Sequence, residues 1–381
     1  ETQRTRTMGI SVSSAQTVLI VAGGTGGHLY PGIAVAQALR DMPSRSANVI
    51  FVVRTGDLGK AILAREGFQC VEIPGQGLPR RPSFGLLTFA WTLASGYLAA
   101  WRCLGQCRPA VVVGMGGYLS FPVMTAARFR GIRTIIHEQN VLPGLSNRWL
   151  ARAVDSVAIS FVDSARYFPA AKTWLAGLPV RQEIGTVQKG AARQSLGLVE
   201  DRFTVLVFGG SQGAHRMNEE VLNICRQSAE ELRGMQMVHV TGEKDYDKLA
   251  KEYSGSGVRA IVMPYCHNMA AAYAAADLVV CRAGASTVAE LERARRPSIL
   301  IPYPFASEDH QRFNAEHLVN LGLADMILER DLGEGELRRL LLYYARNPAI
   351  LSDMEKRFPE TCNSVELPAV KLAQVIAGFF K

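Results

Sequence analysis

Short apolar runs recur along the chain, each followed by a turn and then by a longer stretch of mixed polarity. In the first half they are VLIVA at 18–22, VIFVV at 49–53, AVVV at 110–113, TII at 134–136 and SVAI at 156–159. Their length and β-branched content predict buried strands. The first run enters the turn 23–28, GGTGGH, and then a helical pattern to about Arg40. Near residue 180 the pattern restarts: TVLVF at 204–208 runs into GGSQGA, followed by MVHV at 237–240, AIVM at 260–263, LVVC at 278–281 and SILI at 298–301. Such alternation predicts parallel sheets covered on both faces by helices. The repeated opening predicts two Rossmann-like domains joined near residues 176–180. Ligands of such sheets bind beyond the carboxyl ends of the strands, which for two facing domains means the cleft between them.

Residues 84–101, FGLLTFAWTLASGYLAAW, carry no charge and approach the length of a membrane span. Thr88, Thr92, Ser95, Gly96 and Tyr97 dilute their hydrophobicity, and the next strand follows almost at once. A packed crossover helix fits better, with an apolar edge and a basic rim (Arg80, Arg81, Arg102, Arg108) suited to a membrane surface. Charge supports that reading. Residues 1–180 hold 18 Lys/Arg against 8 Asp/Glu, and residues 181–381 hold 24 against 26. A basic first half suits anionic lipid, nucleic acid or a phosphorylated substrate. The 7 cysteines are scattered without a CxxC, which reads as reduced thiols in a cytosolic protein. Residues 1–16 are polar and aperiodic and read as a flexible extension, without the apolar core of a signal peptide.

The stretch 281–291, CRAGASTVAEL, carries the strongest chemical signal. A strand ends in a small-residue turn and a helix begins, which aims unpaired N–H groups at whatever sits there and favours anions. Glu290 has two readings: a carboxylate for a vicinal diol such as a ribose, or the far end of a capping box with Thr287. Spacing leaves both open. The turn at 23–28 lacks the third glycine of a dinucleotide fingerprint, and no P-loop is present. It delivers His28 to the carboxyl end of a strand, where an imidazole could move a proton near neutral pH. Asp245-Tyr-Asp247 resembles a metal-binding DxD, but its charged helical run reads as a solvated face. His137-Glu138 lacks a zincin's second histidine, and no metal site is expected. Further polar groups stand at strand ends: the turn 114–118, GMGGY; His137 to Asn140; and Asp309, His310, Gln311 with Asn314.

The motifs VLIVAGGTGGHLYPGIAVAQAL, VVGMGGYLSFP, IIHEQNVLPGLSNRWLA, VLVFGGSQGAHRMN, RAGASTVAEL and EDHQRFNA occur in this order. Together, over roughly residues 17–330, they resemble the MurG family of N-acetylglucosaminyltransferases of peptidoglycan synthesis. The resemblance implies a GT-B fold: two Rossmann-like parallel-sheet domains, 17–180 for the acceptor and membrane and 181–363 for UDP-GlcNAc. A C-terminal helix within 364–381 would return to the first. It implies inverting, metal-independent transfer of GlcNAc to the C4 hydroxyl of MurNAc in lipid I, giving lipid II. The implied setting is the cytoplasmic face of the bacterial inner membrane, on an anionic surface, with no nucleic acid.

Carried onto this chain, Glu290 would bind the uridine ribose, and Ala285, Ser286, Thr287 and Ser211 would face the diphosphate. Arg282 would stand near the nucleotide, Arg181 would reach over the uracil side, and Gln311 and Asn314 would read the GlcNAc hydroxyls. Thr25, Gly26, Gly27 and Asn140 would also reach the donor. Thr25, His28, Tyr118, Glu138 and Asn140 would take the acceptor, with His28 as general base and Glu138 as its alternative. Residues 265–269, YCHNM, depart from the family's aromatic–apolar–acidic pattern, so the uracil-binding backbone at Cys266 is the least defined part of the site. Two other readings remain at this stage. One is a UDP-GlcNAc 2-epimerase, or a transferase for another acceptor, needing no membrane face. The other is a non-enzymatic binder of anionic lipid or nucleic acid, which leaves the second domain's motifs unused.

Overall fold

The computed structural model describes residues 16–23, 26–42, 47–57, 59–77, 85–210, 213–359 and 367–380. The chain forms two compact units, one of Glu1–Gln139, Pro143–Pro179 and Glu366–Lys381, the other of Asn140–Leu142 and Val180–Val365. In the first, β1 (Gln16–Val21), β2 (Ala47–Arg54), β3 (Gln69–Ile73), β4 (Val111–Gly114), β5 (Arg133–Glu138), β6 (Ser156–Ile159) and β7 (Thr173–Leu175) make one sheet in the order β3-β2-β1-β4-β5-β6-β7. In the second, β8 (Phe203–Phe208), β9 (Met235–Val240), β10 (Arg259–Met263), β11 (Leu278–Cys281), β12 (Ser298–Leu300) and β13 (Ala324–Met326) run β10-β9-β8-β11-β12-β13. Every strand pair is parallel.

Both faces of the first sheet are buried, which is why its central strands read as unbroken apolar runs. Val18 and Ile20 of β1 join the core beneath the helices Gly26–Arg40 and Pro368–Gly378. Leu19 and Val21 join the opposite core, beneath Gly85–Cys107 and Ser120–Phe129. Leu372, Ala373 and Ile376 of the C-terminal helix are fully buried in the first of these cores. Three strands were not expected from sequence: β3, β7 and β13. Each lies at a sheet edge and reads QCVEI, TWL or ADM. An edge strand is covered on fewer sides, so its apolar signal is weak.

The uncharged stretch forms the helix Gly85–Cys107, one face of which buries Ala100, Cys103, Leu104 and Cys107. Gly96 passes so close to the β3 exit that a Cβ there would fall 2.6 Å from the Pro74 carbonyl oxygen. Trp91 (77% exposed) and Leu98 lie outward. No described helix is long and apolar enough to cross a membrane. Arg80 and Arg81 of the expected basic rim, and residues 1–15 of the expected extension, lie outside the described residues. The cysteines of the described residues are free thiols.

In each sheet the strand order reverses direction once, between β1 and β4 and between β8 and β11. Connections leave to opposite sides at such a point and open a crevice at the carboxyl ends. The turn carrying His28 and the turn 114–118 flank the first crevice; the turn after β8 and the turn 282–284 flank the second.

Candidate active site

At the first switch point His28 lies in the opening turn of its helix, half-buried against the turn that follows β4. Gly116 and Gly117 there hold φ of 90° and 75°, a left-handed backbone that side chains disfavour. A Cβ on Gly116 would lie 3.1 Å from His28 Cε1, and one on Gly117 3.4 Å from Cδ2. The two glycines are therefore the bed on which the imidazole rests. His28 Nδ1 is 3.2 Å from Gln139 Oε1. Gln139 Nε2 donates to the Met115 carbonyl at 2.6 Å and lies 3.3 Å from His137 Nδ1. His137 Nε2 in turn lies 3.0 Å from the Gly177 carbonyl oxygen. His137 is fully buried, and burial pushes its pKa down to about 4, so the ring is neutral.

Alternation along β5 puts His137 and Gln139 on the face of His28 and sends Glu138 to the other. Glu138, 2% exposed, accepts from Asn147 Nδ2 at 2.9 Å and from the Gly144 amide at 3.2 Å. Glu138, the expected alternative base, thus staples residues 144–147. Tyr118 accepts at its phenol oxygen from Arg54 Nη1 at 3.1 Å, leaving its own proton to donate.

At the second switch point β11 ends in Arg282, and Gly284 begins the helix Ala285–Ala294 without any side-chain cap. Its first intrahelical bond runs from the Val288 amide to the Gly284 carbonyl at 3.0 Å. The amides of Ala285, Ser286 and Thr287 therefore precede the helical ladder, at the positive end of the helix dipole. Glu290 lies in the second turn, 9% exposed. It accepts from Arg181 Nη2 at 2.9 Å and from Tyr273 Oη at 3.0 Å. The helix starts at Gly284 and leaves Thr287 inside it, so the capping-box reading of Glu290 falls, and the carboxylate is held by Arg181 and a fully buried tyrosine.

Gln311 Oε1 accepts from the amides of Ala283 and Tyr303 at 3.2 and 2.9 Å, so it pins the turn while its Nε2 stays available. Among the described residues no group of three His, Cys, Asp or Glu could hold a metal ion. Asp245 is not the solvated residue expected: its side chain, 13% exposed, accepts from Asn218 Nδ2 at 2.8 Å and lies 2.8 Å from His215 Nδ1.

Comparison with known proteins covers both units. Residues 18–159 match the glycosyltransferase family 28 N-terminal domain, and residues 204–366 match the glycosyltransferase family 28 C-terminal domain. A protein of Desulforudis audaxviator, named UDP-N-acetylglucosamine--N-acetylmuramyl-(pentapeptide) pyrophosphoryl-undecaprenol N-acetylglucosamine transferase, is 43% identical over 84% of this chain and 87% of its own length. The crystal structure of Acinetobacter baumannii MurG is similar with a TM-score of 0.73 at 27% identity, covering 94% of this chain and 99% of that one. The chain belongs to the MurG family. It is a glycosyltransferase with the GT-B fold. A putative UDP-N-acetylglucosamine 2-epimerase from Listeria monocytogenes, with a TM-score of 0.68 at 13% identity over 97% of each chain, shares that fold alone.

Several roles implied by MurG resemblance change when the contacts are read. Arg282, 7% exposed, is ion-paired with Glu329 and donates to the carbonyls of Ile301 and Pro302, both at 3.2 Å. These contacts anchor the end of β12. Asn314 is fully buried: Oδ1 accepts from the Val141 amide at 3.1 Å, and Nδ2 donates to Asn140 Oδ1 at 3.1 Å and to the Ala283 carbonyl at 3.3 Å. Both amide protons are used, so in this conformation it fastens the segment 140–142 rather than reading a sugar hydroxyl. Arg181, expected over the uracil side, is ion-paired with Glu290 at 2.9 Å. Cys266 is buried, and Asn268 caps the next helix by accepting from the Ala271 amide at 3.0 Å. Gly26 and Gly27 open the helix of His28, while Thr25 and Ser211 lie outside the described residues. Gln139 and Tyr273, each in contact with a site residue, were missed. An amide inside HEQN and a tyrosine inside an alanine run carry no spacing signal of their own.

Proposed function

We propose that this chain transfers GlcNAc from UDP-GlcNAc to the C4 hydroxyl of MurNAc in lipid I, with inversion, releasing UDP and lipid II. The observation that carries the reading is the pairing of chemistries at the two switch points, on a chain of the MurG family. The second unit offers an uncapped helix start at Ala285–Thr287 and a held carboxylate at Glu290. The first offers an imidazole bedded on glycines. In this mechanism His28 accepts the proton of the attacking hydroxyl as the bond to the anomeric carbon forms. The departing diphosphate gathers charge, which the amides of Ala285, Ser286 and Thr287 stabilise. Glu290 accepts hydrogen bonds from the ribose diol, and Gln311 Nε2 donates to the sugar. No metal enters this scheme.

The acceptor reading also includes a peripheral membrane surface on the first unit, at the cytoplasmic side of the inner membrane. Trp91, Leu98, Trp101 and Phe129 are exposed on its helices, close in sequence to Arg102, Arg128 and Arg130. Aromatic side chains with basic neighbours suit an anionic interface.

The deciding experiment is transfer of radiolabelled GlcNAc from UDP-GlcNAc to a short-chain lipid I analogue, with and without EDTA. A β-linked product at equal rates in both supports the whole reading. UDP-GlcNAc binding without product rejects the acceptor, and a rate abolished by EDTA rejects the metal-free mechanism.

A further inference from the structure

We propose that Gln139 is a positioning residue that fixes the tautomer of His28, placing the proton on Nδ1 and the lone pair on Nε2. The inference rests on the reading of His28 as the base and specifies which nitrogen acts.

The direction of each bond follows from one fixed end. The Gly177 carbonyl oxygen can only accept, so the His137 nitrogen 3.0 Å from it, Nε2, carries a proton. His137 is fully buried and neutral, so its Nδ1 is bare and needs a donor. The group at 3.3 Å that supplies one is the Gln139 side-chain amide. That same nitrogen also donates to the Met115 carbonyl at 2.6 Å. A flipped amide would turn its oxygen on a carbonyl oxygen and a bare nitrogen, and Gln139 is only 2% exposed, so water could relieve little of the cost. The amide is therefore locked with Oε1 toward His28 Nδ1, at 3.2 Å. An amide oxygen accepts and never donates, so a neutral His28 keeps its proton on Nδ1.

This is the less common form of a free neutral imidazole, which prefers its proton on Nε2. A Cβ on Gly116 would lie 3.1 Å from His28 Cε1, 3.2 Å from its Nδ1 and 3.1 Å from Gln139 Oε1. The two glycines thus leave room for the relay as well as for the ring.

The test is histidine-selective ¹⁵N NMR on the whole enzyme above the titration of His28, with His28 assigned by its loss in His28→Gln. The expected spectrum has a pyrrole-type Nδ1 and a pyridine-type Nε2 at His28. A His28 protonated on Nε2 in the unaltered enzyme overturns the proposal without any variant at Gln139. Gln139→Met removes the acceptor at similar volume; His28 should then move toward the Nε2-protonated form, and kcat should fall at least tenfold with KM for UDP-GlcNAc within twofold. Gln139→Glu, with the oxygen facing the Met115 carbonyl protonated so that it still donates there, keeps an acceptor toward His28 and should return it to the Nδ1-protonated form. A tautomer indifferent to both variants overturns the proposal. A tautomer that follows them while turnover does not change supports the positioning and rejects His28 as the base on which it acts.

Discussion

The two units share an architecture and differ in what they offer at the same topological place. Each buries one neutral histidine near the carboxyl end of a strand: His137 in β5 and His239 in β9. In the first unit the chain of bonds from His137 passes through Gln139 and ends on a second imidazole, half-buried His28. In the second, His239 Nε2 lies 3.1 Å from Asn218 Oδ1, and Asn218 Nδ2 donates to the Thr241 carbonyl and to Asp245. That chain ends at Asp245, whose carboxylate lies 2.8 Å from His215 Nδ1. One relay orients a group that can move a proton; the other braces the backbone beside a glycine turn. The second unit presents its chemistry instead through helix amides and a held carboxylate. A common fold therefore sets where ligands go, and the side chains beneath each turn decide whether the site reacts or grips.

That contrast breaks most directly at His28. His28→Ala should lower kcat by ~10²–10⁴-fold, the usual worth of general base catalysis, and leave the calorimetric Kd for UDP-GlcNAc within about twofold. Equal loss in both would erase the division of labour between the units. Glu290→Ala should do the reverse. Loss of hydrogen bonds to a charged group should weaken UDP-GlcNAc by roughly 10–100-fold with a much smaller change in the kcat reached at saturation. A normal Kd in this variant would remove the carboxylate from the donor site.

The apolar surface extends the comparison. Trp91→Ser should weaken binding to anionic vesicles by about tenfold, from the lost burial of one large side chain, while transfer to a water-soluble acceptor stays unchanged. Unaltered vesicle sedimentation would move the membrane face elsewhere.

Acid should then treat the units alike. Burial depresses His137 to about 4 and His239 to about 3. Below pH ~6.5 the unfolded chain takes up protons that the folded one refuses, so stability is complete above that pH and falls as the pH drops toward these values. Each histidine should cost ~1.4 kcal/mol per pH unit in that window. Calorimetry showing no drop in Tm between pH 6.5 and 5 would mean that both rings are charged in the fold. The smallest effect belongs to Tyr273→Phe, which removes one hydrogen bond to Glu290 and should weaken UDP-GlcNAc about fivefold. Weakening as large as in Glu290→Ala would mean that the tyrosine, rather than the carboxylate, dominates the contact.

Local pattern determined much of this protein. The central strands, the glycine turns and the crossover helix follow from apolar runs and small residues that act over a few positions. Those features, with the ordered motifs, were enough to name the family. Tertiary structure decided which side chains of the motifs serve the site. His28 and Gln139 are separated by 111 positions, and Arg181 and Glu290 by 109. No periodicity encodes such pairs. Within HEQN, the sheet's pleat sends Gln139 toward the histidine and Glu138 away from it, and in RAGAST the buried Glu329 claims Arg282. A motif shows which groups are present near a strand end. Burial and the supply of donors and acceptors around each one determine whether it is free to meet a substrate or is already spent on the fold.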